Sequence, residues 1–187
     1  MQKEPIKKQS QVFEIWKRLK KNKISVIALL VIAAMFFTAI FADFIADYDS
    51  MAIKQNISQR LQPPGGDHIL GTDGFGRDVF ARIIHGSRIS LFIGIACTFF
   101  SVLGGAVIGS IAGYYGGKID SILMRICDVL MAIPSLLLAL AIVASLGPGI
   151  PNLTIALSVA QIPGFARLMR SQVLTIRGNE FIEAAKA

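Results

Sequence analysis

The chain has 187 residues, 53% of them hydrophobic and only 17% charged, with a mean hydropathy of +0.60. Soluble domains ordinarily carry about 25% charged residues, so this balance argues against an ordinary soluble enzyme or binding module. The formal net charge of +7 fits the collection of Lys and Arg in short cytoplasmic segments of a membrane protein, and no nucleic-acid partner is expected.

Residues 1–23 form a basic tail with eight Lys and Arg. They are followed by "ISVIALLVIAAMFFTAIFA" (24–42), a run of 19 residues without a charge. As a helix it would be about 28 Å long, enough to cross a bilayer core, and a first membrane helix is predicted over 24–46. The competing reading is a signal peptide behind a basic segment. Such a peptide has an apolar core of about 7–15 residues and a small-residue cleavage site, whereas this run is longer and continues "DFIADYD".

Residues 47–87 read as a long loop on the outer face, rich in turn formers: "PPGGDHILGTDGFGRD". Asp47, Asp49, Asp67, Asp73 and Asp78 beside His68 and His85 raise the question of a metal. No calcium-loop spacing is present and no His pair lies four apart on a helix, so no metal site is expected. Asp and Gly shaping tight turns is the simpler reading. Gly71, Gly74 and Gly76 miss both phosphate-binding spacings.

Three further spans are predicted within 88–187, at about 89–113, 121–146 and 153–169. In the first of these, Gly105, Gly109 and Gly113 recur every four residues. Three missing side chains then share one face, which a neighbouring helix can approach closely. In the next, Arg125 and Asp128 share a helix face and can offset each other's charge. Pro134, without a backbone donor, is expected to kink that helix. The last is weaker because Gln161, Pro163 and Gly164 interrupt it, and Pro163 is a second candidate bend. Ser101, Thr154, Ser158 and Gln161 fit either the lining of a path or ordinary helix–helix hydrogen bonds. A soluble helical bundle fails because the first two spans have no polar stripe to face water. Cys97 and Cys127 lie inside apolar runs, so neither a disulfide framework nor a zinc site is expected.

Orientation follows from the cations. Eight in the tail, Lys118 and Arg125, and Arg167, Arg170, Arg177 and Lys186 fall on one side. Lys54, Arg60, Arg77, Arg82 and Arg88 fall on the other. The positive-inside rule puts the N-terminus in the cytoplasm and, after four crossings, the C-terminus too. The closing "RGNEFIEAAKA" (177–187) reads as a helix starting near Gly178 and Asn179. Small Ala side chains beside a carboxylate suit a helix that sinks into a groove; a solvated amphipathic end is the alternative.

The blocks "GTDGFGRDVFARIIHGSRISLFIG" (71–94), "AGYYGGKIDSILMRICDVLMAIPSLLLALAI" (112–142) and "ARLMRSQVLTIRGNEFIEAAKA" (166–187), with the opening "FEIWKRLKKNKISVIALLVI" (13–32), resemble the C-type inner-membrane permease subunit of dipeptide/oligopeptide ABC transporters. The resemblance covers nearly the whole chain. It implies an all-α membrane protein, a polytopic bundle with four of an expected six helices here, in the cell's inner membrane. It implies half of a translocation path for di- or oligopeptides, completed by a homologous B-type permease subunit. Separate ATP-binding cassette ATPase subunits would supply energy, and an extracytoplasmic substrate-binding protein would deliver substrate where the 47–87 loop lies. Glu183, Ala184 and Ala185, with Glu180 and Arg177, would form a coupling helix over 178–187 that docks into a cleft of the ATPase. The family's pattern continues past Glu-Ala-Ala to a Gly and two more spans, so the chain is expected to be the N-terminal part of a permease. Nickel, glutathione or another small solute is the alternative cargo, and a non-transporting truncated scaffold the alternative role.

An enzyme is not expected. No span holds paired carboxylates, both His lie in the outer loop, and no cofactor is implied. The phosphate-binding Gly-x-x-x-x-Gly-Lys-Ser/Thr is absent; "GGKI" (116–119) has Ile where the hydroxyl must be.

Overall fold

The structure, a computed structural model, describes residues 16, 17 and 19–177. Glu180, Glu183, Ala184 and Ala185 of the predicted coupling helix lie outside the described residues. The chain divides into two units, Met1–Leu91 and Phe92–Ala187.

In the first unit, helix α1 (Lys23–Ile40) starts at Asn22, whose Oδ1 accepts from the N–H groups of Ile24 (3.0 Å) and Ser25 (3.4 Å). That side chain satisfies donors a helix start leaves without partners. Along the helix only Ala39 is buried, so apolar side chains cover every face, as a helix surrounded by lipid requires. The chain then breaks at Phe41 and continues as a short helix α2 (Ala42–Ile45), a π-helical stretch (Tyr48–Ile53) and a 3₁₀ turn (Ile57–Gln59).

From there it folds back against the start of helix α3 (Val79–Tyr115). Asp78 N–H donates to the Met51 carbonyl (3.0 Å), His85 Nε2 lies 2.8 Å from the Ala46 carbonyl, and Arg88 Nη2 donates to the Ile40 carbonyl (3.1 Å). The pairings 51 with 78, 46 with 85 and 40 with 88 descend in register, so 40–51 runs antiparallel to 78–88. Arg88 thereby supplies a cation and donors to the orphan carbonyls at the C-terminus of α1, and its charge is matched by Asp43 at 2.9 Å.

The loop between is more ordered than a string of turns. Asp73 accepts from the N–H groups of Phe75 (2.8 Å) and Arg77 (3.0 Å) and from the Arg77 and Arg82 guanidiniums. Burial alone would raise its pKa, but the hydrogen bonds from Arg77, Phe75 and Arg82 outweigh it and hold the carboxyl well below the usual carboxylate range. Two of the residues considered as metal ligands bond each other instead: His68 Nδ1 lies 2.8 Å from Asp78 Oδ2. Gly76 adopts φ 72°, and a Cβ there would lie 1.7 Å from the Asn56 carbonyl oxygen, so glycine is required twice over.

Helix α3 has 37 residues, about 56 Å of helix, well beyond a hydrocarbon core of about 30 Å. It begins at Val79, inside the segment read from sequence as loop, because Asp78 Oδ1 accepts from Ala81 N–H (2.9 Å) and caps the start. In the second unit it is followed by α4 (Gly117–Ala132), α5 (Ser135–Leu146) and α6 (Ile150–Arg177), and α6 packs against both α4 and α5.

Two described helices, α1 and α3, are long and apolar enough to cross a membrane, and three spans result if the bent pair α4 and α5 counts as one. The fourth predicted span, 153–169, falls in α6, which is not among them. Asn152, Gln161 and Arg167 dilute its apolar residues. The buried positions are mostly small, including Ala39, Ala42, Ala81, Ala112, Ala156 and Ala166, while Phe44 is 88% exposed and Leu136 67% exposed. This inverts the soluble pattern, as expected where lipid, not water, faces the large side chains.

Candidate functional site

The residues singled out from the sequence in the second unit gather along α6. Gly105, Gly109 and Gly113 of α3 lie against it. A Cβ on Gly105 would sit 2.4 Å from the Phe165 Cβ, one on Gly109 2.3 Å from the Ala166 carbonyl oxygen, and one on Gly113 2.8 Å from the Val173 Cβ. The two backbones are thus in van der Waals contact, with Ala166 fully buried at the crossing. Gly104, which the four-residue period did not include, belongs to the same face: a Cβ there would meet Ile162 Cδ1 at 3.0 Å.

Where the glycines end, hydroxyls take over. Ser101 Oγ shares its proton between the Cys97 carbonyl (2.7 Å) and the Ser158 carbonyl of α6 (3.1 Å). Ser158 Oγ donates to the Thr154 carbonyl at 2.6 Å. Ser101, Thr154 and Ser158 are all buried. Of the four polar residues read as either path lining or interhelical bonds, Ser101 and Ser158 bond across the helices, Thr154 donates to the Ile150 carbonyl of its own helix, and Gln161 reaches open space. Its Nε2 also donates to Cys97 Sγ at 3.2 Å.

That open space lies at the bend of α4 and α5. Pro134 has no N–H and drives its predecessor out of helical geometry: Ile133 has φ −89° and ψ 128°. The two helices meet at 91°. A cavity of about 510 Å³ opens beside the break, lined by Met131, Ile133, Pro134, Gln161, Gly164 and Phe165. Pro163 sits inside α6, which runs through it without ending. It is fully buried, and Gly164 beside it faces the cavity. The lining is apolar apart from Gln161 and Ser135, so the cavity offers shape and a few hydrogen bonds and no charge.

Towards the end of α6 the packing becomes ionic. Arg170 grips Asp120 of α4 with Nε and Nη2 on the two carboxylate oxygens. Arg167 Nη2 contacts Asp128 Oδ1 at 2.6 Å. The pairing of Asp128 with Arg125 expected from their spacing is therefore superseded. A partner on the facing helix gives a straighter approach than a neighbour three residues along the same helix. Arg177, the last described residue, donates from Nη1 to the Tyr114 carbonyl at 3.0 Å. The guanidinium assigned from sequence to the coupling segment is thus used within the chain, where it caps the C-terminus of α3. From sequence, Arg170 counted only as one of the cytoplasmic cations and Asp120 was not singled out. The signal was available, since charges inside apolar helices require partners.

Two family models match the chain. Residues 105–187 match the binding-protein-dependent transport system inner membrane component, and residues 10–64 match the N-terminal TM domain of oligopeptide transport permease C. Among curated proteins, the dipeptide transport system permease protein DppC of Alkalihalophilus pseudofirmus is 46% identical over 174 residues, 93% of this chain and 57% of its own length. The oligopeptide transport system permease protein OppC of Bacillus subtilis is 37% identical over 187 residues, covering 98% of this chain and 60% of its own. The glutathione transport system permease protein GsiD of Pectobacterium atrosepticum is 38% identical over 174 residues, 93% and 58% respectively. The chain therefore spans a little over half the length of these relatives.

Proposed function

Since the chain belongs to the binding-protein-dependent transport permeases, in the branch of the oligopeptide and dipeptide C-type subunits, a family that moves solutes without catalysing a reaction, we propose that it contributes half of the translocation path of a peptide importer. The match of both family models, one at each end of the chain, carries this reading. In it, α6 is the fourth membrane span, and the N-terminus and the end of α6 face the cytoplasm. Such a placement puts fourteen of nineteen Lys and Arg on that side. A homologous B-type subunit completes the path, and a binding protein approaches the 47–87 segment from outside. Paired ATP-binding cassette subunits receive Glu183, Ala184 and Ala185, with Glu180 beside them.

The ionic end of α6 favours this arrangement. A helix joined to 178–187 and clamped to α3 and α4 through Arg177, Arg170 and Asp120 moves as one body with them, so a displacement of the docked segment is passed to α3 and α4 and is not absorbed by slack. The bend at Pro134 and its cavity are an element able to change shape in response. Glutathione is the second cargo reading, because one relative of similar identity is a glutathione permease and the cavity carries no charge that would select among small peptides.

The test is Glu183→Lys in the full transporter, with the ATPase co-purified through the permease. Reversing the charge presented to the cleft lowers ATPase recovery on the order of tenfold while membrane insertion is unchanged. Undiminished recovery would overturn the coupling assignment.

A further inference from the structure

The first unit holds a cavity that neither packing nor the transport reading explains. It has a volume of about 280 Å³ and is lined by Tyr48, Ile53, Arg77, Arg82, His85 and Ile89. Two arginines and a histidine line it, and no acid does. Arg77 and Arg82 share one acid, Asp73, which takes Nε and Nη2 of Arg77 and Nη1 of Arg82. Both guanidiniums keep N–H donors that this carboxylate does not use, and the neighbouring acids lie outside the lining, Asp47 accepting from the Ser50 N–H and Asp78 bonded to His68. The other cation nearby, Arg88, is matched by Asp43.

The depth of the cavity is set by the register already described. Arg88 lies at the end of α1, where the apolar run stops, so it marks the edge of the hydrocarbon. His85 and Arg82 lie three and six residues nearer the start of α3, about 4.5 and 9 Å beyond that edge. A bilayer's polar layer is about 5–8 Å thick on each side. The Arg82 guanidinium thus stands at or just above the level of lipid phosphates. Tyr48 is an aromatic suited to that layer, Ile89 provides apolar wall on the hydrocarbon side, and Ile53 closes the outer side.

We propose that this cavity binds a phosphate group of net single negative charge at the membrane surface. Arg82 and Arg77 supply bidentate, charge-assisted hydrogen bonds, and Asp73 holds both guanidiniums in place. The inference rests on α1 and α3 crossing the membrane and not on transport, so a failure of ATPase docking leaves it standing.

The chain, purified in a zwitterionic detergent, is titrated with phosphatidylglycerol, with phosphatidylcholine and with inorganic phosphate, and bound species are read by native mass spectrometry. Phosphatidylglycerol is retained over phosphatidylcholine. Arg82→Gln weakens that retention on the order of tenfold, while Arg60→Gln, an exposed cation of the same loop outside the cavity, has no effect. Displacement of phosphatidylglycerol by millimolar inorganic phosphate supports the site with free phosphate as a ligand; resistance to it supports the site with the lipid headgroup as ligand. Should Arg82→Gln fold poorly by circular dichroism, Ile89→Asp sets a carboxylate at the wall without touching the Asp73 cluster and abolishes retention. Equal binding of the two lipids with no binding of phosphate, or unchanged retention in both variants, would overturn the proposal.

Discussion

Helix α3 is held by two different chemistries along its length. Its first turns are bound to 40–51 through ions and carbonyls: Arg88 on the Ala39 and Ile40 carbonyls, His85 on Ala46, and Asp78 on Met51. Its later turns meet α6 through side chains that are missing or short: Gly105, Gly109, Gly113 and Ser101. The difference follows from the solvent. At the membrane surface water competes for polar groups, and several charge-assisted bonds together with a well-shaped loop are needed to hold the chain. Within lipid no hydrophobic force draws two apolar helices together, so close backbone approach and single hydroxyl bonds decide the pairing.

The sharpest way to break the comparison is to add one methyl group at two places on α3. Gly109→Ala drives a Cβ to 2.3 Å from the Ala166 carbonyl oxygen, and we expect a loss of about 2–3 kcal/mol in unfolding from mixed micelles. Gly94→Ala meets nothing within 4 Å and should stabilise by up to about 1 kcal/mol through helix propensity alone. Equal effects at both positions would refute the close approach.

An effect of similar or slightly smaller size is expected from Asp73→Asn, which removes the acceptor shared by Arg77 and Arg82. The local cost is about 2 kcal/mol, read as faster hydrogen exchange across 56–78 with no change in α6. The pH dependence has a definite sign. The folded carboxyl titrates below its ordinary value, so its contribution is complete above that value and is lost as the pH falls through the usual carboxylate range and on towards the folded pKa. The Asn variant should show no such acid step in loop exchange.

The smallest effect is expected from Ser101→Ala. The hydroxyl bonds one carbonyl of its own helix and one of α6, and measured interhelical hydrogen bonds in membranes average about 0.6 kcal/mol. A loss well above 1 kcal/mol in the same unfolding measurement would mean that hydrogen bonding, and not backbone approach, dominates the α3–α6 pairing.

Much of this was legible in the sequence because it is local. An uninterrupted apolar run over 24–42 has to be a helix in lipid, since backbone groups there find partners only within the segment. The four-residue period of glycines states that one face of α3 is bare, and the missing N–H of Pro134 states that a helix cannot run straight through it. What lies opposite the bare face is a different matter: Phe165, Ala166 and Val173 are some sixty residues away in the chain, and no spacing rule connects them. The same limit applied to charge. Asp128 had Arg125 as its nearest cation in sequence and took Arg167 in space. Arg177 looked like a residue for an outside partner and closed on Tyr114. The turn formers of 47–87 did not reveal that Asp73 gathers two arginines or that the chain runs back along α3.

By itself, then, the sequence determined the all-helical membrane character, the family and the bare glycine face that another helix can approach, because each depends on residues within a few turns of one another. Of two candidate bends, only Pro134 became a break, and α6 runs on through Pro163. Tertiary structure alone decided the partners: which carbonyl each arginine caps, which acid neutralises which base, and which polar residues are buried between helices while Gln161 faces the cavity. Those choices depend on distances of a few ångströms between residues 39 to 64 apart in the chain, where every charge and hydroxyl had several chemically equivalent candidates.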